Sequence, residues 1–220
     1  DKMIFPLVYG DAEQGRVQLG IYGACVKIAM IMAMITQAFR YAYEPFVFGS
    51  AKEKDSGATY AVAMKFFIIF TLLAFLCVIG YMDILKFIIA PDYWEGLRVV
   101  PIVMAAEIMM GVYFNLSFWY KLIDKTIWGT WFSLAGCVVL IAVNIIFIPQ
   151  YGYMACAWGG FAGYATSMTL SYFVGQKKNP IDYPLKSIGV YVLIALLFFF
   201  IMEQVPQSWS VWLRLSINTG

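Results

Sequence analysis

Long apolar stretches occupy most of this chain: residues 17–39, 61–82, 99–120, 127–148, 153–174 and 187–205. Each is close to the ~20 apolar residues that a helix needs to cross a hydrocarbon core about 30 Å thick. Threaded alternately through a bilayer, they sort the basic residues unevenly. One side receives Arg40, Lys52, Lys54, Lys65, Lys121, Lys125, Lys177, Lys178 and Lys186. The other keeps Lys2, Arg16, Lys86, Arg98 and Arg214, and Lys27 is left inside the first stretch. Basic residues concentrate on cytoplasmic loops, so the first side is expected to be cytoplasmic.

Composition fits the same solvent. Apolar residues make up 62% and charged residues 13% of the 220 positions, against about 45–50% and 25% in soluble domains. The net charge of +2 then reports topology and gives no reason to expect a nucleic-acid partner. The lipid bilayer is the expected partner along every span, and no polar interval is long enough for a soluble domain. Cys25, Cys77, Cys137 and Cys156 all fall inside or at the edge of apolar stretches, without metal-ligand spacing, and read as small packing residues. The sequence contains no histidine. That removes zinc-peptidase motifs and histidine-based triads, so no enzyme, metal or cofactor is expected.

The pattern along the chain adds detail. Residues 1–16 read as a polar lead-in broken by Gly10, Asp11 and Gly15. The first helix is expected to run to Glu44 and stop at Pro45. Residues 49–57 form a solvated loop, and residues 84–98 a mixed segment with a turn at Pro91-Asp92-Tyr93-Trp94. Pro101 suits the first turn of the third span. Tight hairpins at residues 121–125 and 149–152 make their flanking helices antiparallel neighbours. The fifth stretch carries Gly159, Gly160, Gly163 and several alanines, a surface that lets helix backbones approach closely. The sixth is greasy throughout and reads as peripheral. Trp and Tyr gather near span ends, as an interfacial belt requires.

Few residues inside the spans carry charge. Lys27 sits near mid-span, where an unpaired lysine costs about 2.5–3.5 kcal/mol on insertion scales. Its helical face carries Gly20, Gly23, Met30, Met34, Gln37 and Tyr41, with Arg40 and Glu44 on the adjoining edge. This glycine-notched stripe is expected to face a cavity. Glu107, with Asn115 nearby, is the carboxylate well inside a span; it either pairs with Lys27 or, alone, is able to carry a proton. Lys27, Gln37, Arg40, Glu107 and Asn115 are therefore the candidate cavity residues. Asn144, Thr36, Thr71, Thr166, Ser167 and Thr169 are isolated polar residues that helix carbonyls or a neighbouring helix should satisfy.

Several short motifs occur in a fixed order: Asp1-Lys2, Gly10, Leu19-Gly20-Ile21-Tyr22-Gly23-Ala24, Pro45-Phe46, Tyr93, Pro101, and Asn144-x4-Pro149-x-Tyr151-Gly152-x2-Ala155-Cys156-Ala157. Together they resemble the second lobe of the polysaccharide flippases of the multidrug/oligosaccharidyl-lipid/polysaccharide exporter superfamily. The interval from Gly10 to Gly20 is longer than in that family, and Ala155 and Cys156 stand where it has Gly-Ala. The resemblance implies an all-α polytopic transmembrane helix bundle of about six spans. Residues 1–175 would be the C-terminal lobe, its first helix truncated. Residues 176–220 would be a cytoplasmic linker and an appended helix, truncated at its end. The ends of the chain read as those of a fragment, with a helix before Asp1 and another after Gly220. The partner would be an N-terminal lobe of the same protein. The implied function is alternating-access transport of an undecaprenyl-pyrophosphate-linked oligosaccharide across the bacterial inner membrane, with Lys27 and Arg40 facing the pyrophosphate. The alternatives are a drug or metabolite exporter of the same superfamily, or a membrane-embedded glycan polymerase or ligase. The last should carry a large polar outer loop, which this sequence lacks.

The threading makes a direct prediction. In a background without native cysteines, single cysteines at Ser50 and Lys125 should react only from the cytoplasmic side. Cysteines at Asp92 and Gln207 should react only from outside. Labelling of positions 92 and 125 from the same face would refute the six-span order.

Overall fold

The computed structural model describes residues 5–9, 12–50 and 56–204. They form an all-α bundle. Helix α1 (Phe5–Val8) is followed by α2 (Ala12–Ser50), α3 (Ser56–Gly80) and the short α4 (Met82–Leu85). Two 3-10 segments, Lys86–Ile88 and Pro91–Val99, lead into α5 (Val100–Leu116) and α6 (Phe118–Leu122). Helices α7 (Ile127–Tyr151), α8 (Tyr153–Lys178) and α9 (Leu185–Gln204) complete the order. Among the described residues, five segments are long and apolar enough to cross a membrane: Glu13–Pro45, Gly57–Gly80, Pro91–Lys121, Ile127–Tyr151 and Leu185–Gln204. The chain is a multi-pass membrane protein.

Helix α8 is the remaining long helix. Its 26 residues make a rod of roughly 39 Å, but glycine, alanine and serine dilute its hydropathy. The structure shows why it can be diluted. Ala155, Cys156, Ala157, Gly159, Gly163, Ser167, Ser171 and Gly175 are buried, and α8 packs most extensively on α7 and then on α5. A helix surrounded by protein needs little apolar coat. Close to the middle of the α7–α8 seam the backbones touch, because Gly136 and Gly163 face each other. Toward the hairpin, fully buried Asn144 lies against Gly159, and toward the opposite end the Ser167 hydroxyl donates across to the Phe132 carbonyl at 3.0 Å. The hairpin that aligns the pair turns on one residue, Gly152, at φ +56°, a conformation that glycine adopts at little cost.

The two ends of the bundle carry the segments that alternate threading assigns to them. At the lysine-rich end, the Lys121 amine lies 3.1 Å from Glu44 Oε1, and Gly175 packs on Trp119. At the opposite end, Gly152 meets Gln18, and the Cys25 thiol donates to the Tyr93 carbonyl at 3.4 Å. There too, Lys86 pairs with Asp83 at 3.2 Å and lies over the Trp94 ring, whose indole N–H donates to the Lys86 carbonyl at 3.0 Å. Pro101 falls in the first turn of α5 as expected.

Three local expectations are corrected. Pro45 does not end the first helix, which continues to Ser50. A proline removes one N–H and leaves the carbonyl of Tyr41 without its helical donor, yet both residues are exposed. The last turns are held instead by Val47, fully buried in a cluster with Tyr43, Tyr60, Phe118 and Ile181. Gly15 lies inside α2 and breaks nothing; its missing side chain leaves room for Tyr9, 3.3 Å from where a Cβ would sit. The segment expected as a mixed stretch with a turn at Pro91 is 3-10 helical over Pro91–Val99. Gly96 sets it against Ile21 and Cys25 of α2. Cys25 and Cys156 are buried, whereas Cys77 and Cys137 are exposed on the bundle surface. Helix α9 is peripheral, with Ala195 as its buried residue. Asp1, Lys2, Gly10, Lys52, Lys54, Trp209, Trp212 and Arg214 lie outside the described residues.

The α7–α8 seam is testable. A Cβ on Gly163 would lie 2.8 Å from the Gly136 carbonyl oxygen and 3.0 Å from Leu140 Cβ, while one on Gly160 meets nothing within 4 Å. Overpacking of this kind costs about 1–3 kcal/mol, and each kcal/mol is worth roughly 2–4 °C in a chain of this size. Gly163→Ala should therefore lower the melting temperature in detergent by about 2–12 °C, and Gly160→Ala should not. Equal melting of the two variants would mean that the seam is not held by backbone contact.

Candidate functional site

The residues expected to line one cavity fall into three places. Lys27 projects from the exposed face of α2. That face carries Gly20, Met30, Met34 and Tyr41, all exposed, with Gly23 and Gln37 half-buried at its edge. A Cβ added at Gly20 or Gly23 meets no neighbour, so the notched stripe is uncovered in the described bundle. Lys27 makes no ion pair or hydrogen bond among the described residues.

Arg40 and Asn115 come together at the lysine-rich end. With Thr36, Phe114 and Phe118 they line a cavity of about 10 Å³, which is the space of a single water. The Arg40 guanidinium lies 4.7 Å over the Phe114 ring and 3.8 Å from Glu44 Oε2. Glu44 also takes Lys121 through its other oxygen at 3.1 Å, and Lys121 lies over the Phe118 ring. One carboxylate thus ties two cations, from α2 and α6, across a bed of aromatic rings. Asn115 turns back on its own helix, donating to the Gly111 carbonyl at 3.0 Å. In this geometry Arg40 is occupied as a strut between α2 and α5. Arg40 also stands 13 positions from Lys27, roughly 20 Å along the helix.

Glu107 lies on α5 where α2 and α8 converge. The expected pair with Lys27 is not made. Its electrostatic neighbours are the phenols of Tyr22 on α2 and Tyr164 on α8. Lys27 points outward from α2 whereas Tyr22 points inward, because the two are five positions apart and so on opposite faces of the helix. Tyr164 did not stand out as a site residue in the sequence. Its signal was there, as a large polar ring set between Gly163 and Ala165 on a helix of small residues. Thr71 and Thr166 are satisfied as expected, donating to the Phe67 and Ala162 carbonyls at 2.8 Å each, whereas the buried Thr36 hydroxyl finds no partner among the described residues.

No family model, no curated protein and no solved structure matches this chain.

The strut is open to measurement. Each member of the Glu44–Lys121 pair keeps 29% side-chain exposure, so the pair should contribute less than about 1 kcal/mol. A double-mutant cycle with Glu44→Gln and Lys121→Gln should give a coupling of that order. Arg40→Ala should cost more than Arg40→Lys, through loss of stacking on Phe114. A coupling of zero, with Arg40→Ala neutral, would free Arg40 for a role in the cavity.

Proposed function

We propose that this chain is one lobe of a transporter that moves an undecaprenyl-pyrophosphate-linked oligosaccharide across the bacterial inner membrane by alternating access. The observation that carries the reading is Lys27, exposed near mid-helix on the notched, uncovered stripe of α2 with no partner among the described residues. A cation at that depth is costly against lipid. The stripe is therefore better suited to a covered, wet cleft than to hydrocarbon. A second lobe facing α2 would close such a cleft, and an anionic group passing through it would meet the lysine. Pyrophosphate is the anion implied by the motifs that resemble the flippase family, and the polyprenyl tail would remain in the bilayer. Gln37, half-buried on the same stripe, is placed to meet sugar hydroxyls. Alternating access around a midplane site between two repeats is a common transporter logic.

A drug or metabolite exporter is the second reading, and Glu107 favours it. A carboxylate within electrostatic reach of Tyr22 and Tyr164, without a basic partner among the described residues, is a group that would hold a cationic substrate or a proton.

Complementation of a strain lacking its own glycan flippase by the full-length gene separates the two. Loss of one charge-assisted contact is worth about 1.5–3 kcal/mol, so Lys27→Ala should lower glycan export roughly 10- to 100-fold at normal protein level. Lys27→Arg should retain more. Glu107→Gln should be tolerated better than Glu107→Ala, because the amide keeps the shape and hydrogen-bonding capacity of the carboxylate. A failure of Lys27→Ala to accumulate, rescued only by Glu107→Ala, would make the lysine structural. Loss of pH dependence in Glu107→Gln would favour the exporter reading.

A further inference from the structure

A second opening lies on a different side of the bundle. It is a slot of about 480 Å³ with a wholly apolar wall, bounded by α3, α5, α8 and α9, and α2 contributes nothing to it. Its four walls run over residues 64–75, 105–116, 161–172 and 185–196. Each covers 12 positions, roughly 18 Å of helix, or a little over half of a 30 Å core. The helices alternate in direction, and the four limits agree. Met64, Leu116, Tyr172 and Leu185 lie toward the lysine-rich end, whereas Phe75, Ala105, Phe161 and Leu196 lie at or somewhat beyond the middle of their helices. The slot is therefore one leaflet deep.

Its two ends differ in chemistry. At mid-depth the Phe75 and Phe199 rings meet with centroids 5.8 Å apart and stop it. At the lysine-rich end Tyr172 and Tyr183 line the wall with ring centroids 6.2 Å apart. Burial, and then the neighbouring Tyr172, pushes the Tyr183 phenol above its ordinary range. Beside this mouth Lys186 is exposed next to Leu185. Lys65, next to Met64, holds its amine 5.9 Å from the Tyr191 ring. Asp182, also exposed, is the acidic residue of the adjoining loop. The loop itself is clamped: the Gln176 side chain donates to the Ile181 carbonyl at 2.7 Å and accepts from its N–H at 3.2 Å. This seats buried Ile181 in the bundle and fixes where α9 begins. From there α9 packs along α3 and only slightly against α8, so the slot opens toward lipid between α8 and α9.

We propose that this slot is a binding site for an acyl chain of an anionic phospholipid from the leaflet at the lysine-rich end, its headgroup held by Lys65 and Lys186. The depth fits a lipid tail that enters at one interface and ends at the midplane. The basic mouth selects a negative headgroup, since each lysine near a membrane surface is worth about 1 kcal/mol toward an anionic lipid. The site does not depend on the transport reading.

The test loads the purified, delipidated full chain with phosphatidylglycerol, phosphatidylcholine or a polyprenyl phosphate and counts bound lipid by native mass spectrometry. Wild type should hold one phosphatidylglycerol about 30-fold more tightly than phosphatidylcholine. Lys65→Gln with Lys186→Gln should abolish that preference while phosphatidylcholine binding is unchanged. Val112→Trp, which fills the slot from α5, should lose the bound lipid. Should that variant fail to fold, the headgroup preference and its loss in the double lysine variant still decide. Equal retention of the two phospholipids, displacement by polyprenyl phosphate, full retention in folded Val112→Trp, or a dimer that only Val112→Trp dissolves would each overturn the proposal.

Discussion

Helices immersed in hydrocarbon gain nothing by hiding apolar side chains from one another, since lipid tails are as apolar as leucine. What they gain comes from close contact and from polar groups that find partners across a seam. In this bundle both occur where α7 meets α8. Gly136 and Gly163 bring the two backbones into contact, Ser167 crosses to the Phe132 carbonyl, and buried Asn144 lies against Gly159. The other helices are arranged outward from that seam. Helix α5 packs on α8, α2 and α3 pack on α5, and α9 rests on α3. The inner helix is the least greasy and the outermost is greasy all round. That is the order expected when lipid, and not water, is the outer solvent.

Charge is handled by the same rule. Glu44 sits at the lysine-rich end with Arg40 and Lys121 on its two oxygens, and Asp83 holds Lys86 at the other. Both clusters lie at helix ends, where water and headgroups screen them, and both include aromatic rings over which a cation rests. Lys27 and Glu107 lack this arrangement. Each lies well inside a span, and each lacks an oppositely charged partner among the described residues. The two residues that break the rule are where function is best sought, because an intramembrane charge without a structural partner calls for something to balance it.

The fold was largely legible because its signals are periodic or punctuated. Apolar length gave the spans, Gly152 the tight hairpin, the run from Ala155 to Gly163 the closely packed helix, and the uniform grease of residues 196–200 the peripheral one. Pro45 and Gly15 misled for a common reason. Both read as breakers by local preference, and tertiary packing of Val47 and Tyr9 outweighs that preference. The candidate site was legible only in part. Helical spacing placed Lys27, Gln37 and the glycines on one stripe, and the structure leaves that stripe open. Spacing within one helix says nothing of which neighbour a face meets. Glu107 therefore has the phenols of Tyr22 and Tyr164 as electrostatic neighbours, and Arg40 meets Glu44 and Phe114. The apolar slot had no sequence signal at all, because each of its walls is an ordinary stretch of spanning helix.

The two uncovered surfaces make different demands on what surrounds them. The slot is apolar, one leaflet deep and basic at its mouth, and a lipid satisfies it without any further protein. The α2 stripe is notched by Gly20 and Gly23 and carries Lys27 at mid-depth. Lipid tails would satisfy its methionines but not its ammonium group, and Lys27 is too far from either interface for its stem to reach water easily. Covering that stripe calls for a surface with polar groups or for water. The α9 side thus suits lipid as its solvent, whereas the α2 stripe calls for polar groups opposite Lys27.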